Sequence, residues 1–154
     1  MAAHSALITL ALGRRDAAAA EVTVEGRYST AAVHQGYIEP MACVAEADPQ
    51  GNVTLWASTQ GAFPTEIQTA VVCGLPQSKL KVVPLEVGGA FGGKINVHLE
   101  PHAVRLAQIT GRPVKMVMTR EEVLKASGPT SGAHIKVKMG VKKDGTITAA
   151  EAQL

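Results

Sequence analysis

The chain has 154 residues, of which 46% are hydrophobic but only 3% aromatic, and a formal net charge of +2. That length supports one domain with a single core, built mainly from Val, Ala, Leu and Ile. So small a charge gives no argument for nucleic acid or a membrane surface as partner, and no stretch approaches the ~20 apolar residues of a membrane span.

Residues 1–20 read as a lead-in segment and 21–154 as the domain proper. No basic residue precedes the apolar residues 6–12, so a secretory leader is not expected. A short helix is expected from Asp16, where an alanine run follows. Residues 21–30 alternate through Val22, Val24 and Tyr28 as a half-exposed strand. Residues 41–47 and 53–58 form a hairpin around the turn Asp48-Pro49-Gln50-Gly51-Asn52. Residues 64–73 are expected as a helix with Ile67, Ala70 and Val71 inward, Pro64 in its first turn and Gly74 at its end. Residues 79–87 make a strand. A second helix, 99–109, carries Ala103, Leu106 and Ala107 on one face and is stopped by Gly111. Residues 114–118 form a short buried strand and 121–126 one or two helical turns. Residues 133–141 and 146–153 flank Lys142-Lys143-Asp144-Gly145 as a second hairpin. Interleaved strands and helices predict a two-layer α/β (α+β) fold, with helices packed on a mixed sheet.

Cys43 and Cys73 form no Cys-x-x-Cys pair, and a conventional iron–sulfur cluster takes about four thiolates. They read as reduced, buried thiols of a cytoplasmic protein. His98 and His102 share helical spacing, but Leu99 stands where a zincin would need its glutamate, so surface histidines are the expectation.

The most informative stretch is 86–95, Glu-Val-Gly-Gly-Ala-Phe-Gly-Gly-Lys-Ile, with four glycines in six residues between an apolar run and a helical pattern. Glycines at such a turn let backbone amides approach a ligand, and a following helix N-terminus favours negative charge. An anionic group is therefore expected against residues 88–94. Gly88, Gly93 and Lys94 match seven positions of the phosphate-binding loop, but Ile95 replaces the hydroxyl that holds magnesium. A phosphate- or nucleotide-binding module using Lys94 remains an alternative, with Glu121 as its candidate acidic magnesium ligand.

Four segments in register carry a resemblance. Residues 87–94 resemble the Gly-Gly-Gly-Phe-Gly-Gly-Lys signature of the molybdenum hydroxylases, the xanthine dehydrogenase, aldehyde oxidase and carbon monoxide dehydrogenase large-subunit family. His34-Gln35-Gly36-Tyr37-Ile38-Glu39-Pro40 resembles that family's His-x-x-Tyr-x-Glu-Pro box, and Ser58-Thr59-Gln60 its Ser-Thr-Gln box. Residues 110–114 with Thr119-Arg120-Glu121-Glu122 resemble the segment that follows. Together they cover the chain from about Val22 onward.

The resemblance implies a molybdopterin (molybdenum cofactor) site. Gln60 would donate a hydrogen bond to an oxo ligand of the metal, where a neutral amide polarises without adding charge. Without the resemblance, Gln60 reads as a solvated turn residue. Gly89, Ala90, Phe91 and Gly92 would present backbone amides to the cofactor, with the Phe91 ring anchoring the loop; Ala90 stands where glycine is usual. Ile95 replaces the glutamate of purine-oxidising members, which points to an aldehyde, a simple aromatic heterocycle or another small apolar substrate; alternatively Ile95 faces the core. Glu39 is expected to be held by backbone amides with Tyr37 packed beside it. Lys94 would neutralise cofactor phosphate or cap local acceptors, and Arg120 would pair with Glu121 or Glu122. The family's general-base glutamate lies far C-terminal of anything present, so no catalytic residue is expected in this chain. The chain would be a fragment of a larger subunit, inactive alone. Its partners would be the remainder of the molybdopterin-binding subunit and iron–sulfur and flavin subunits or domains carrying the clusters and FAD.

Overall fold

The computed structural model describes residues 10–12 and 18–154. The expected helix from Asp16 begins outside the described residues. The chain forms two compact units, one from the described residues up to Val33 together with Ser131–Leu154, the other from His34–Thr130. The stretch expected to carry one mixed sheet thus carries two sheets.

The first unit is a four-stranded antiparallel sheet of β1 (Leu10–Leu12), β2 (Val22–Thr30), β7 (Ala133–Val141) and β8 (Ile147–Gln153), in the order β1-β8-β7-β2. Strand β1, inside the expected lead-in, pairs with β8 from Leu10↔Ala152 to Leu12↔Ala150. The predicted hairpin joins β7 to β8. Its turn is closed by Lys142 N–H donating to the Thr146 carbonyl at 2.9 Å, and Gly145 supplies the positive φ.

The second unit holds the predicted mixed sheet, made of β3 (Ala42–Ala47), β4 (Val53–Ala57), β5 (Leu80–Pro84) and β6 (Val114–Val117) in the order β5-β4-β3-β6. Strands β4 and β5 run parallel, joined through helix α1 (Ala62–Cys73), while β3 is antiparallel to both its neighbours. Helix α2 (Glu100–Thr110) packs across the sheet. Cys43, Ala45, Val53, Leu55 and Ala57 of the strands meet Ala70, Ala103, Val104 and Ala107 of the helices. As the composition predicts, this core is aliphatic.

Two helix faces differ from expectation. On α1 the buried residues are Thr65, Thr69 and Ala70, whereas Ile67 and Val71 are exposed along with Phe63. Periodicity gave the spacing; two stripes satisfy it, and the smaller side chains fit against the sheet. Helix α2 buries Ala103 and Ala107 as predicted, but Leu106 turns outward and Val104 takes its place. Helix α3 (Arg120–Ala126) starts in a reciprocal capping box: Glu122 N–H donates to Thr119 Oγ1 at 3.2 Å and Thr119 N–H to Glu122 Oε2 at 2.7 Å. None of the described helices is long and apolar enough to cross a membrane.

Candidate functional site

The predicted segments converge within the second unit. Segment 34–40 is fixed first. Gly36 N–H donates to His34 Nδ1 at 3.0 Å, which leaves the neutral ring's proton on Nε2 to reach Ser127 Oγ at 2.9 Å. Ser127 Oγ–H donates to the Val123 carbonyl at 2.5 Å, so the Tyr37 hydroxyl, 3.0 Å away, is the donor to Ser127. Arg120 grips the same segment from α3, donating to the carbonyls of Tyr37 (2.9 Å) and Ile38. The expected pairing of Arg120 with Glu121 or Glu122 is therefore corrected. Glu121 pairs with Lys125 and Glu122 closes the capping box. Arg120 and Ser127 belong to the site's frame although sequence reading gave neither that role. Their partners lie 83 and 93 positions away, and no local pattern reports such contacts.

The glycine loop sits on this frame. A Cβ at Gly88 would lie 2.8 Å from the Glu39 Cβ, and one at Gly93 would lie 2.7 Å from Tyr37 Cε1. Those two glycines serve close packing. Gly93 N–H donates to the Ala90 carbonyl at 2.8 Å, closing a tight turn whose central residues, Phe91 and Gly92, have φ of 51° and 88°. Positive φ at both central positions is the type I′ pattern, and Phe91 is the one non-glycine residue with positive φ among those described. Its ring is 73% exposed, so it does not anchor the loop in the core as expected. Ala90 is buried, and Ile95 is 44% exposed rather than facing the core. Among the described residues, the amides of Gly89, Ala90, Phe91 and Gly92 have no protein acceptor.

Gln60 stands beside the far end of the loop. Its N–H donates to the Lys94 carbonyl at 3.0 Å, and its Oε1 accepts from Lys94 N–H at 3.2 Å. Since only oxygen can accept from that N–H, the orientation of the carboxamide is fixed and its NH2 group is free to donate outward. Thr59 Oγ1 donates to the Lys94 carbonyl at 3.0 Å and lies 2.8 Å from Thr65 Oγ1, tying the segment to α1.

Lys94 itself points inward. It is 2% exposed, its Nζ donates to Glu39 Oε2 at 2.5 Å, and it lies 5.2 Å from the centre of the Tyr37 ring. Glu39 also accepts from Gly88 N–H at 2.9 Å, as expected of a carboxylate held by backbone amides. Burial pushes the Glu39 carboxyl up, but hydrogen bonds from Lys94 and Gly88 and the Lys94 charge outweigh it and hold its pKa below the ordinary value. An ammonium so engaged is not available to a phosphate, and the phosphate-loop alternative is not supported. The first turn of α2 carries a carboxylate of its own, Glu100, whose Oε2 accepts from His98 N–H at 2.7 Å just ahead of the helix. No group of three or more His, Cys, Asp or Glu side chains placed to hold a metal ion occurs among the described residues, around His98 and His102 included.

What remains exposed is a set of neutral donors: the Gln60 NH2 group and the Phe91 and Gly92 amides. Such a set suits the oxygen acceptors of a molybdenum–pterin group, and the positive-φ turn leaves the Phe91 and Gly92 amides without a protein partner among the described residues. The residues present fit that cofactor. The open groove lined by Arg27, Tyr28, His134, Lys136 and Gln153 belongs to the first unit and shares no residue with this set.

Comparison with known proteins agrees. The family model described as the molybdopterin cofactor-binding domain matches residues 4–154. The nicotinate dehydrogenase large molybdopterin subunit of Eubacterium barkeri is 34% identical over 134 residues, covering 87% of this chain and 32% of that protein. The carbon monoxide dehydrogenase large chain of Afipia carboxidovorans is 31% identical, covering 86% of this chain and 17% of that one. Among solved structures, the aldehyde oxidoreductase from Desulfovibrio gigas superposes with a TM-score of 0.73 at 28% identity, over 90% of this chain and 16% of that one. The chain thus spans a third or less of the length of these relatives, and within that span both its sequence and its fold place it in the molybdopterin cofactor-binding domain family.

Proposed function

We propose that the chain forms one wall of the cofactor site in a molybdenum-dependent oxidoreductase that hydroxylates aldehydes or aromatic heterocycles. The observation that carries this reading is the Gln60 carboxamide, whose oxygen is taken by Lys94 N–H so that only its NH2 group faces outward, beside a turn with unpaired amides. Bound there, the cofactor would supply the oxidation–reduction chemistry. The chain's own part is to bind and orient it: Gln60 donates a hydrogen bond, Gly89 and Ala90 shape the approach, and Phe91 and Gly92 offer their amides. Ile95, part-exposed and unable to hydrogen-bond through its side chain, would line the substrate side and favour an aldehyde or simple heterocycle over a purine. The similar proteins include a nicotinate dehydrogenase subunit and an aldehyde oxidoreductase as well as a probable xanthine dehydrogenase subunit, so the substrate class rests on Ile95.

Turnover would draw on further parts of the assembly. The general base would lie in the remainder of the molybdopterin-binding subunit, while FAD and iron–sulfur clusters on other domains or subunits would carry electrons away. The assembly would be cytoplasmic. The test is metal analysis and pterin fluorescence on the assembly purified from its native host. Stoichiometric molybdenum with pterin is expected; retained ATP with magnesium and no molybdenum would overturn the reading.

A further inference from the structure

Three sequence segments meet on one residue. The main chain of Lys94 makes the two-way pair with Gln60, its N–H to Oε1 at 3.2 Å and its carbonyl accepting from Gln60 N–H at 3.0 Å, with Thr59 Oγ1 as a second donor. Its side chain crosses to the 34–40 segment, reaching Glu39 Oε2 at 2.5 Å and the Pro40 carbonyl at 3.5 Å. The same Glu39 oxygen accepts from Gly88 N–H, at the opening of the glycine loop. Both ends of the loop are therefore tied to a single ion pair. Burying an ammonium is costly unless it is paired, and an apolar side chain would plug the same space without that cost. What an apolar plug could not provide is a directed tie to Glu39.

We propose that Lys94 is a positioning residue, which through Glu39 fixes the glycine loop and through its own peptide aims the Gln60 NH2 group at the cofactor. The proposal rests on the cofactor reading of Gln60. With Nζ held by Glu39, the Lys94 main chain is tied from a second side in addition to Gln60 N–H and Thr59 Oγ1, so Gln60 keeps its oxygen on Lys94 N–H and its donor outward. Without that tie, the Lys94 main chain is held only through its carbonyl, by Gln60 N–H and Thr59 Oγ1, and the N–H that orients the carboxamide is less firmly placed.

The test uses the molybdenum-loaded assembly containing this chain, with Gln60→Leu, Lys94→Met, Glu39→Gln and the doubles with Gln60→Leu. Two quantities are read: the rate at which pterin fluorescence appears in solution as cofactor is released, and Tm. Gln60→Leu is expected to speed release about tenfold, the worth of one hydrogen bond. Lys94→Met should speed it at least as much, and the double variant should release no faster than Lys94→Met alone. Multiplying rates, or a Lys94→Met variant that lowers Tm with release unchanged, would overturn the proposal. Glu39→Gln keeps the side-chain shape and decides the matter by the same criterion if Lys94→Met does not fold. A wild-type assembly without molybdenum refutes the cofactor reading itself. Gln60→Leu with unchanged release refutes the role of Gln60, and the positioning proposal falls with it.

Discussion

Gly93→Ala tests the contact on which the loop rests. The added Cβ would lie 2.7 Å from Tyr37 Cε1, 3.1 Å from the Ala90 carbonyl oxygen and 3.2 Å from Gln35 Cδ. Carbon atoms pack at about 3.5–4.0 Å, so the ring edge would have to retreat by roughly 0.8 Å or more. Tyr37 has little room to do so: it is 1% exposed, its hydroxyl is held by Ser127 at 3.0 Å and its carbonyl by Arg120 at 2.9 Å. Overpacking of this kind costs about 1–3 kcal/mol. For a chain of this size that lowers Tm by about 2–4 °C per kcal/mol. Gly128→Ala is the control, since a Cβ there meets nothing within 4 Å, and it should change stability by less than about 0.5 kcal/mol. Thermal unfolding followed by circular dichroism compares the two. Adding Tyr37→Leu to Gly93→Ala should be less damaging than the sum of the single effects. If Gly93→Ala unfolds with the control, the Tyr37 ring does not underlie the loop and the packing role of Gly93 is wrong.

Three further outcomes follow from the same contacts. Burial first, then the nearby Glu100 charge, push the Cys43 thiol up to about 12. Alkylation at pH 8 should therefore leave Cys43 unmodified until the chain unfolds, and rapid modification of the native protein would contradict its burial. Because that pKa is raised, the thiol's contribution to stability is full below about pH 9 and is lost as pH climbs through 12. Glu39 behaves in the opposite sense: its pKa is lowered, so its contribution is present above its ordinary 4.5 and fades as pH falls through the lowered value. Glu39→Gln should flatten that acid limb in pH-dependent unfolding, and an unaltered limb would show that the pair with Lys94 contributes nothing. Thr119→Ala removes half of the capping box and should cost about 0.5–2 kcal/mol in denaturant unfolding, whereas Thr119→Asp should retain most of the stability.

The parts legible in the sequence are those set by local chemistry. Both hairpins stand because Asp48, Gly51 and Gly145 punctuate alternating runs, and α2 buries Ala103 and Ala107 because its apolar stripe is narrow. The inward face of helix α1 differs from expectation because Ile67 and Val71 satisfy the same 3.6-residue period as the Thr65–Thr69 side that faces the sheet. That the strands divide into two sheets depends on which distant strands pair, β2 with β7 for example, and a single sequence does not state this. The candidate site shows the same division. Gln60, Phe91 and Lys94 stand out as candidates from their segments, but the inward turn of Lys94 is settled by a partner 55 positions away.

The alanines between α2 and the sheet have a mechanical consequence. Ala45, Ala103 and Ala107 are each 0% exposed. An alanine has no side-chain rotamers to freeze, so this contact forms at almost no side-chain entropy cost. At those positions the helix and strand meet through methyl groups alone, with Val104, Val53 and Leu55 filling the space around them. Strand β3 runs on that backing, and Ala42 at its start is tied to Ser58 by backbone and side chain at 3.0 and 3.2 Å. Stiffness in the helix–sheet contact is thereby delivered to the segment that ends at Gln60. Enlarging Ala103 or Ala107 would then act on the proposed site at a distance, as a wedge lifting the backing plate rather than as a change at Gln60 or the glycine loop.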